Sequence, residues 1–367
     1  MTVLILVLST VYVLYVLTET FYFRRVRKTF QKVIHVNGIR GKSTVTRLID
    51  AGLRECGFRV FSKTTGTVPT TIGTDGNPKE VRRLGPANVR EQLRCMEWAK
   101  KDGAEILVVE CMAVNPELQF ITEQRMLKAD INVITNVRLD HTDVMGEDTE
   151  SIAYSLANTT PANGIVVLGE DKHLDVFRLC AEKRNSKVVV AEAYTGTETL
   201  DTFAENVATA LCVCEQLGLD RATFFRGMQK YRHDCGAMAV YDCDGMQFIN
   251  AFSVNDPDSI EATYRQVLQQ KDASDVTILL NTRSDRAFRT KQHIEMLGNM
   301  PCKKVLLIGS NPAYVARELK KKGIEAAKLK RIEDLKQEKI VFGCGNIAED
   351  GLKVLKFMQE NGEKIYG

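Results

Sequence analysis

At 367 residues the chain has room for about two ordinary domains, and 44% hydrophobic with 26% charged residues is a folded composition rather than a disordered one. A formal charge of +3, with both signs spread along the chain, excludes nucleic-acid binding by bulk electrostatics. Ten scattered cysteines with no C-x-x-C pair exclude a disulfide framework and fit buried thiols in a reducing compartment, Cys212 and Cys214 lying in an apolar helical pattern.

The first element in chain order is an apolar run over residues 3–23, with Glu19 as its only charged side chain. About 20 such residues cross a bilayer as a helix. Arg24, Arg25, Arg27 and Lys28 follow at once, which by the positive-inside rule leaves the rest of the chain in the cytoplasm. A cleaved signal peptide would want positive charge ahead of a shorter run and a small-residue cleavage site, and neither is present. The expected layout is a single-pass anchor over 1–23 and a basic juxtamembrane segment over 24–31.

Beyond it, short β-branched runs alternate with longer helical patterns. Strands are expected at Lys32–Val36, Arg59–Ser62, Ile106–Cys111, Ile131–Thr135, Ile165–Leu168 and Lys187–Ala191, with helices at Thr44–Cys56, Val89–Lys100 and Asp201–Leu217. That alternation predicts a mostly parallel sheet covered on both faces. Glycines cluster over 233–246 and the long helices pause, so a boundary separates a domain over 32–236 from one over 237–367. The second domain repeats the rhythm on a smaller scale, with strands near Phe248–Ala251, Val276–Leu280, Val305–Ile308 and Lys339–Phe342. The fold expected is α/β: a transmembrane helix, a mostly parallel doubly wound P-loop domain, and a smaller Rossmann-like C-terminal domain.

Four segments carry chemistry. HVNGIRGKST, residues 35–44, follows the first strand and opens a helix near Ser43, where backbone N–H groups and the helix dipole favour an anion. Gly38 and Gly41 let the chain wrap a phosphate, Lys42 reaches its outer oxygens, and Ser43 offers a hydroxyl to Mg²⁺. Val36 stands where the full Walker pattern has its first glycine. Glu110 ends a strand, which brings its carboxylate to the carboxyl edge of the sheet. Thr64, Thr65 and Thr67 form a hydroxyl-rich loop after the second strand, and TNVRLDHTDVMG supplies Asn136, Asp140, His141 and Asp143 after another. Arg40, inside the loop, reads as a solvated surface arginine, with contact to an acidic substrate as the alternative.

NGIRGKST, the Glu110 strand, NVRLDHTDVMG and the helix AENVATALCVCEQLG resemble, in that order, the Mur ligases and folylpolyglutamate synthetases. These ATP-dependent enzymes join an amino acid to a carboxylate, and their phosphate loop has the short form, without the glycine missing at position 36. NAFSVNDPDSI looks like the segment that opens the family's C-terminal domain, and NTRSDRAFR like a further signature. With the anchor, and with no separate nucleotide-sugar-binding domain, the chain is most similar to the ligase subunits of bacterial poly-γ-glutamate synthases.

The resemblance implies ATP and one or two Mg²⁺ as cofactors. It implies that Lys42 binds the β- and γ-phosphates within a loop completed by Asn37, Gly38, Gly41, Ser43 and Thr44. Ser43, Glu110 and His141 would hold metal, with a hydroxyl from Thr64 or Thr65, and Asn206 would lie near the nucleotide. Asp256, Arg283, Asp285 and Arg286 would close over the site from the second domain, with Lys42, Glu110, His141 and Arg286 as the catalytic set. Two positions depart from the pattern: Ser155 stands where many relatives carry a modified lysine, and Asn255–Asp256 replaces a histidine before the proline. The implied reaction activates a γ-carboxylate as an acyl phosphate and adds glutamate, building poly-γ-glutamate for a capsule or secreted polymer at the inner face of a bacterial membrane. The implied partners are glutamate, the growing chain, the membrane, other membrane subunits of a synthase or export complex, and further copies of the chain. Two alternatives stand beside it. A folate- or cofactor-type glutamate ligase has soluble substrates that give the anchor no purpose. A membrane-anchored regulatory ATPase or tyrosine kinase of a polymer-export system leaves the Asp140–His141 and NDPDS segments without a role.

Overall fold

In the computed structural model the described residues are 2–366 except 67, 84, 197, 199, 201, 233–237, 255, 256 and 270, with the backbone alone at 258 and 366. They form two compact units, Met1–Arg232 and His233–Gly367. Thr67 and Asp256 lie outside the described residues.

Unit 1 begins with α1 (Thr2–Arg27), long and apolar enough to cross a membrane. Then come β1 (Lys32–Asn37), α2 (Lys42–Glu55), β2 (Val60–Thr64), β3 (Thr70–Ile72), β4 (Pro78–Glu80), α3 (Glu91–Lys101) and β5 (Ile106–Glu110). Next, α4 (Pro116–Ile121) runs into a π-helical turn, Thr122–Leu127, followed by β6 (Ile131–Ile134), α5 (Thr142–Met145), α6 (Thr149–Leu156) and β7 (Ile165–Leu168). The unit closes with α7 (Leu174–Glu182), β8 (Lys187–Val190), α8 (Ala204–Gln216) and α9 (Arg221–Met228).

The eight strands pair in the order β4-β3-β2-β5-β1-β6-β7-β8, parallel from β2 to β8 and antiparallel at the β3–β4 edge. Burial on both faces explains the apolar run of β5 and the apolar residues on both sides of His35 in β1. Ile34 and Val36 of β1 and Ile106 and Val108 of β5 pack under α2 and α8, while Val33, Leu107 and Val109 pack under α3. Because side chains alternate along a strand, this parity fixes which face each polar residue near a strand end meets. The chain leaves β1 towards β2, returns to place β5 between them, and then crosses to β6. The carboxyl ends of β5, β1 and β6 are thereby neighbours at a topological switch point, the usual ligand position of an open α/β sheet.

Unit 2 contains β9 (Ala239–Cys243), β10 (Met246–Asn250), α10 (Pro257–Leu268), β11 (Val276–Thr282), α11 (Ala287–Leu297) and β12 (Lys304–Gly309). It continues through α12 (Pro312–Lys321), β13 (Ala326–Lys328), β14 (Ile340–Cys344), α13 (Asp350–Asn361) and β15 (Glu363–Tyr366). Its sheet runs β13-β12-β11-β14-β10-β9-β15, parallel up to β10, with β9 and β15 antiparallel.

The long apolar strands stand within one or two residues of their expected bounds. β3, β4 and β13 lie outside the expected set because three-residue strands such as TTI, PKE and AAK have no apolar run to mark them. β9 falls inside the glycine-marked boundary region, where hairpin pairing with β10 overrides the turn signal. Cys212 and Cys214 are buried in α8, and burial pushes their thiols up to about 11 and about 12.

Phe224 of α9 is fully buried against the α2 face of the sheet, among Leu48, Ile49 and Leu53. Phe224→Ala should therefore destabilise unit 1 by about 3–5 kcal/mol. Urea unfolding followed by Trp98, the sole tryptophan and part of α3, reads that loss directly.

Candidate active site

The loop between β1 and α2 is held by the ends of the neighbouring strands. Asn37 Oδ1 accepts from the Gly38 amide at 2.8 Å, while its Nδ2 donates to Gln119 Oε1 at 2.9 Å and Thr159 Oγ1 at 3.2 Å. Gly38 has φ +122°, and a Cβ there would sit 2.1 Å from Thr135 Oγ1. Gly41, at φ +78°, is the left-handed residue preceding α2, and a Cβ there would sit 2.4 Å from Asn206 Oδ1. Both positions thus demand glycine for backbone shape and for space. From the β6 side, the Arg40 amide donates to Asn136 Oδ1 at 2.9 Å, and the Arg40 carbonyl accepts from Thr135 Oγ1 at 2.5 Å.

On the α2 face, Glu110 is 3% exposed and one oxygen, Oε2, accepts twice: from Ser43 Oγ at 2.7 Å and from the Thr65 amide at 2.6 Å. Thr65 thus reaches the carboxylate through its backbone. The Thr64 hydroxyl accepts from Arg47 Nη2 at 3.4 Å. Lys42 folds back over its own loop, donating to the carbonyls of Gly38 at 2.8 Å and Ile39 at 3.2 Å. Burial pushes its ammonium below the ordinary lysine range, aided by the Arg40 charge and opposed by Glu110, Cys111 and Asp140. Thr44 lies in the first turn of α2, whose amides lack intrahelical acceptors and point at the same space.

Arg40 is not a solvated surface arginine. Its Nη2 pairs with Asp140 Oδ2 at 3.1 Å, and Asp140 Oδ1 also accepts from the His141 amide at 2.8 Å. His141 stands in the left-handed region at φ +51°, with Nε2 3.9 Å from Asp140 Oδ2. Ser155 is buried in α6 and accepts from Gln119 Nε2 at 3.3 Å, within the network that supports Asn37. Among the described residues no group of three or more His, Cys, Asp or Glu side chains gathers to hold a metal. The oxygen donors present are the Glu110 carboxylate and the Ser43 hydroxyl, a hard set of the kind Mg²⁺ or Mn²⁺ takes.

A second polar network, unmarked in the sequence, lies on the opposite face of the same strands. His35 of β1 is fully buried, and its Nδ1 meets Glu123 Oε2 at 2.9 Å. Burial opposes charging the imidazole, but Cys111 and Glu123 outweigh it and raise its pKa to about 9. Glu123 also accepts from the Ala129 amide at 2.8 Å, closing the π-helical turn. Alternation along β1 was the available signal: a histidine between Ile34 and Val36 must face the other helix layer and find a partner there.

In unit 2, Arg283 grips Asp285 with two hydrogen bonds of 2.9 and 2.7 Å, which hold the Asp285 carboxyl below its usual range. Arg283, Arg286, Thr282, Thr290, His293 and Asn346 line one recess at the carboxyl end of β11.

Residues 36–211 match the Mur ligase middle domain, and residues 238–361 match the poly-gamma-glutamate synthase CapB C-terminal domain. The chain is 34% identical over 342 residues to the capsule biosynthesis protein CapB of Bacillus anthracis, covering 86% of this chain and 73% of the relative. It is likewise 34% identical over 341 residues to the PGA synthase CapB of Bacillus subtilis, covering 86% of each. In fold it resembles the folylpolyglutamate synthase of Thermotoga maritima, with a TM-score of 0.64 at 15% identity over 94% of this chain and 96% of that one. The bifunctional folylpolyglutamate synthase/dihydrofolate synthase of Yersinia pestis, complexed with AMPPNP and a Mn ion, gives a TM-score of 0.68 at 17% identity over 93% and 91%.

A folded-state pKa near 9 for His35, above its ordinary 6.5, stabilises the fold fully below about 6.5 and loses that contribution as pH rises through about 9. Urea midpoints across that window should fall by an amount on the order of 2–3 kcal/mol, and Glu123→Gln should flatten the dependence.

Proposed function

Because the chain belongs to the Mur ligase family, on the branch of the CapB poly-γ-glutamate synthases, it is an ATP-dependent amide ligase, and we propose that it extends γ-linked polyglutamate at the inner face of a membrane. The observation carrying this reading is the meeting of Lys42, Ser43 and Glu110 at a short phosphate loop, in a chain alike along most of its length to a PGA synthase.

In this proposal Lys42 exchanges the Gly38 and Ile39 carbonyls for the β- and γ-phosphate oxygens of ATP. Loop and first-turn amides of α2 hold the same anion, with Asn37 and Asn206 keeping the loop in shape from either side. Glu110 and Ser43 would hold Mg²⁺, with His141 as a further ligand oriented by Asp140. Such an ion, when bound, neutralises charge on the transferring phosphoryl group. A substrate γ-carboxylate attacks the γ-phosphorus, the bond to ADP breaks, and an acyl phosphate forms. The glutamate amine then displaces inorganic phosphate through a tetrahedral intermediate, leaving an amide. Lys42 and the loop amides supply fixed positive potential where charge moves, and positioning does the rest.

In unit 2, Arg283 and Arg286 are proposed to receive substrate carboxylates, since a planar guanidinium matches a carboxylate in two-point contact. Asp256 and Asp285 are proposed to contribute to nucleotide binding. Membrane subunits of an export complex and further copies of the chain complete the proposed partners, because a polymer made at the membrane is released where export begins.

The detergent-solubilised full chain with ATP and Mg²⁺ should release ADP in a glutamate-dependent manner. Lys42→Ala should slow that release by about 100- to 1,000-fold with unchanged circular dichroism. Vigorous hydrolysis indifferent to every amino acid would overturn the ligase reading, and wild-type rates in Lys42→Ala would overturn the loop assignment.

A further inference from the structure

We propose that unit 1 lies flush on an anionic membrane leaflet, with α3 in the headgroup plane, rather than hanging from its anchor on a tether. The proposal rests on α1 being a membrane span, and goes beyond it to the body of the unit.

Residues 2–18 of α1 are exposed throughout, whereas Phe23, Val26 and Phe30 pack into the core with Leu93 and Met96 of α3. Arg27 donates to the carbonyls of Leu127 and Lys128, each at 3.0 Å, and pairs with Asp130 at 2.7 Å. The helix that leaves the membrane is therefore the helix that enters the fold, with no flexible segment between. Glu19, the one acidic residue of the apolar run, pairs with Arg90 at the start of α3. The body thus reaches residue 19, and the hydrocarbon core falls to residues 2–18, a length of about 25 Å.

Two contacts set the direction of α3. Arg90 meets Glu19, and Lys100 stands 5.5 Å from the Tyr22 ring centroid. These points are about 4.5 Å apart along α1 but about 15 Å apart along α3, so α3 crosses α1 instead of running alongside it. With α1 along the membrane normal, α3 lies in the plane of the headgroups. Exposed Arg90 and Lys100 then stand at headgroup depth on one side of the emerging helix. On another side, burial and the charges of Arg24, Arg125 and Arg27 hold the Lys128 ammonium below its ordinary value. Arg125 and Lys128 are a hundred residues from the anchor in sequence, yet the fold gathers them beside Arg24. Glu19 and Asp130 pair with Arg90 and Arg27, and Glu97 lies beside Tyr22, but Arg24, Arg25, Lys100, Arg125 and Lys128 leave this collar around the membrane helix with a positive excess, which is complementary to anionic lipid headgroups.

Trp98 supplies a native reporter, since it is the sole tryptophan, is half-buried, and packs on the same cluster as Phe23. The full chain would be reconstituted in lipid nanodiscs carrying brominated acyl chains, with and without phosphatidylglycerol. Trp98 should be quenched roughly twofold more by bromines near the glycerol end than by bromines near the chain terminus, as for an interfacial tryptophan. Phosphatidylglycerol should strengthen the quenching, salt should weaken it, and the exposed reversals Arg125→Glu and Lys128→Glu should remove the lipid dependence while vesicle flotation persists. Flotation without quenching would overturn the proposal and leave the anchor standing; loss of flotation would overturn both. Phosphatidylglycerol-independent quenching, or a Trp98 response to soluble polyglutamate in its place, would assign the collar to the polymer and overturn the lipid surface.

Discussion

A carboxylate that is 97% withdrawn from water must be met by donors, because an unpartnered buried charge costs several kcal/mol. Glu110 meets this constraint with two donors on one oxygen, the Ser43 hydroxyl and the Thr65 amide. Those donors come from α2 and from the segment after β2, so one side chain ties three parts of the carboxyl edge together. The strand order makes this possible, since β5 is inserted between β2 and β1. The Ser43 hydroxyl and the Glu110 carboxylate, hydrogen-bonded to each other in the protein alone, are also oxygen donors that suit a hard divalent cation, so the structural tie and the proposed chemistry share these two groups.

The phosphate loop is held in the same economical way. Thr135 and Asn136 bind the Arg40 backbone, Asp140 binds its guanidinium, and Lys42 rests on the Gly38 and Ile39 carbonyls. The shortened loop, with Val36 in place of a glycine, keeps β1 as a regular buried strand up to Asn37. Desolvation already disfavours the Lys42 charge, so phosphate oxygens would restore to it an environment that the loop carbonyls supply only in part. Beneath the loop, the buried Ser155 hydroxyl accepts from Gln119, whose other amide atom accepts from Asn37, so Ser155 helps to hold the strand end from which the loop springs.

Much of this was legible in the sequence because it rests on local pattern. Long apolar runs marked the central strands, glycines marked the loop, and strand ends marked Glu110, Asn136 and Asp140. What stayed hidden was pairing at long range. Arg40 looked like a surface residue until the segment after β6 brought Asp140 to it, and the Thr65 amide bond to Glu110 had no local mark in the sequence. His35 and Glu123 lie 88 residues apart, and nothing local to either announces the other. The short edge strands were silent for a different reason: their side chains bury little, so hydrogen bonding to a neighbour, rather than hydrophobic period, decides them. Glu19 was read as a lone charge in an apolar helix, and its partner Arg90 is contributed by the folded body.

What sets such a ligase apart from a simple ATPase is amide formation from glutamate at the expense of ATP. Its most direct test is mass analysis of the products formed by the detergent-solubilised chain with ATP, Mg²⁺ and either L- or D-glutamate. A ladder of oligomers spaced by one glutamate residue, with one ADP for each bond made, is the expected product. ADP without any amide product, from either enantiomer, would contradict it.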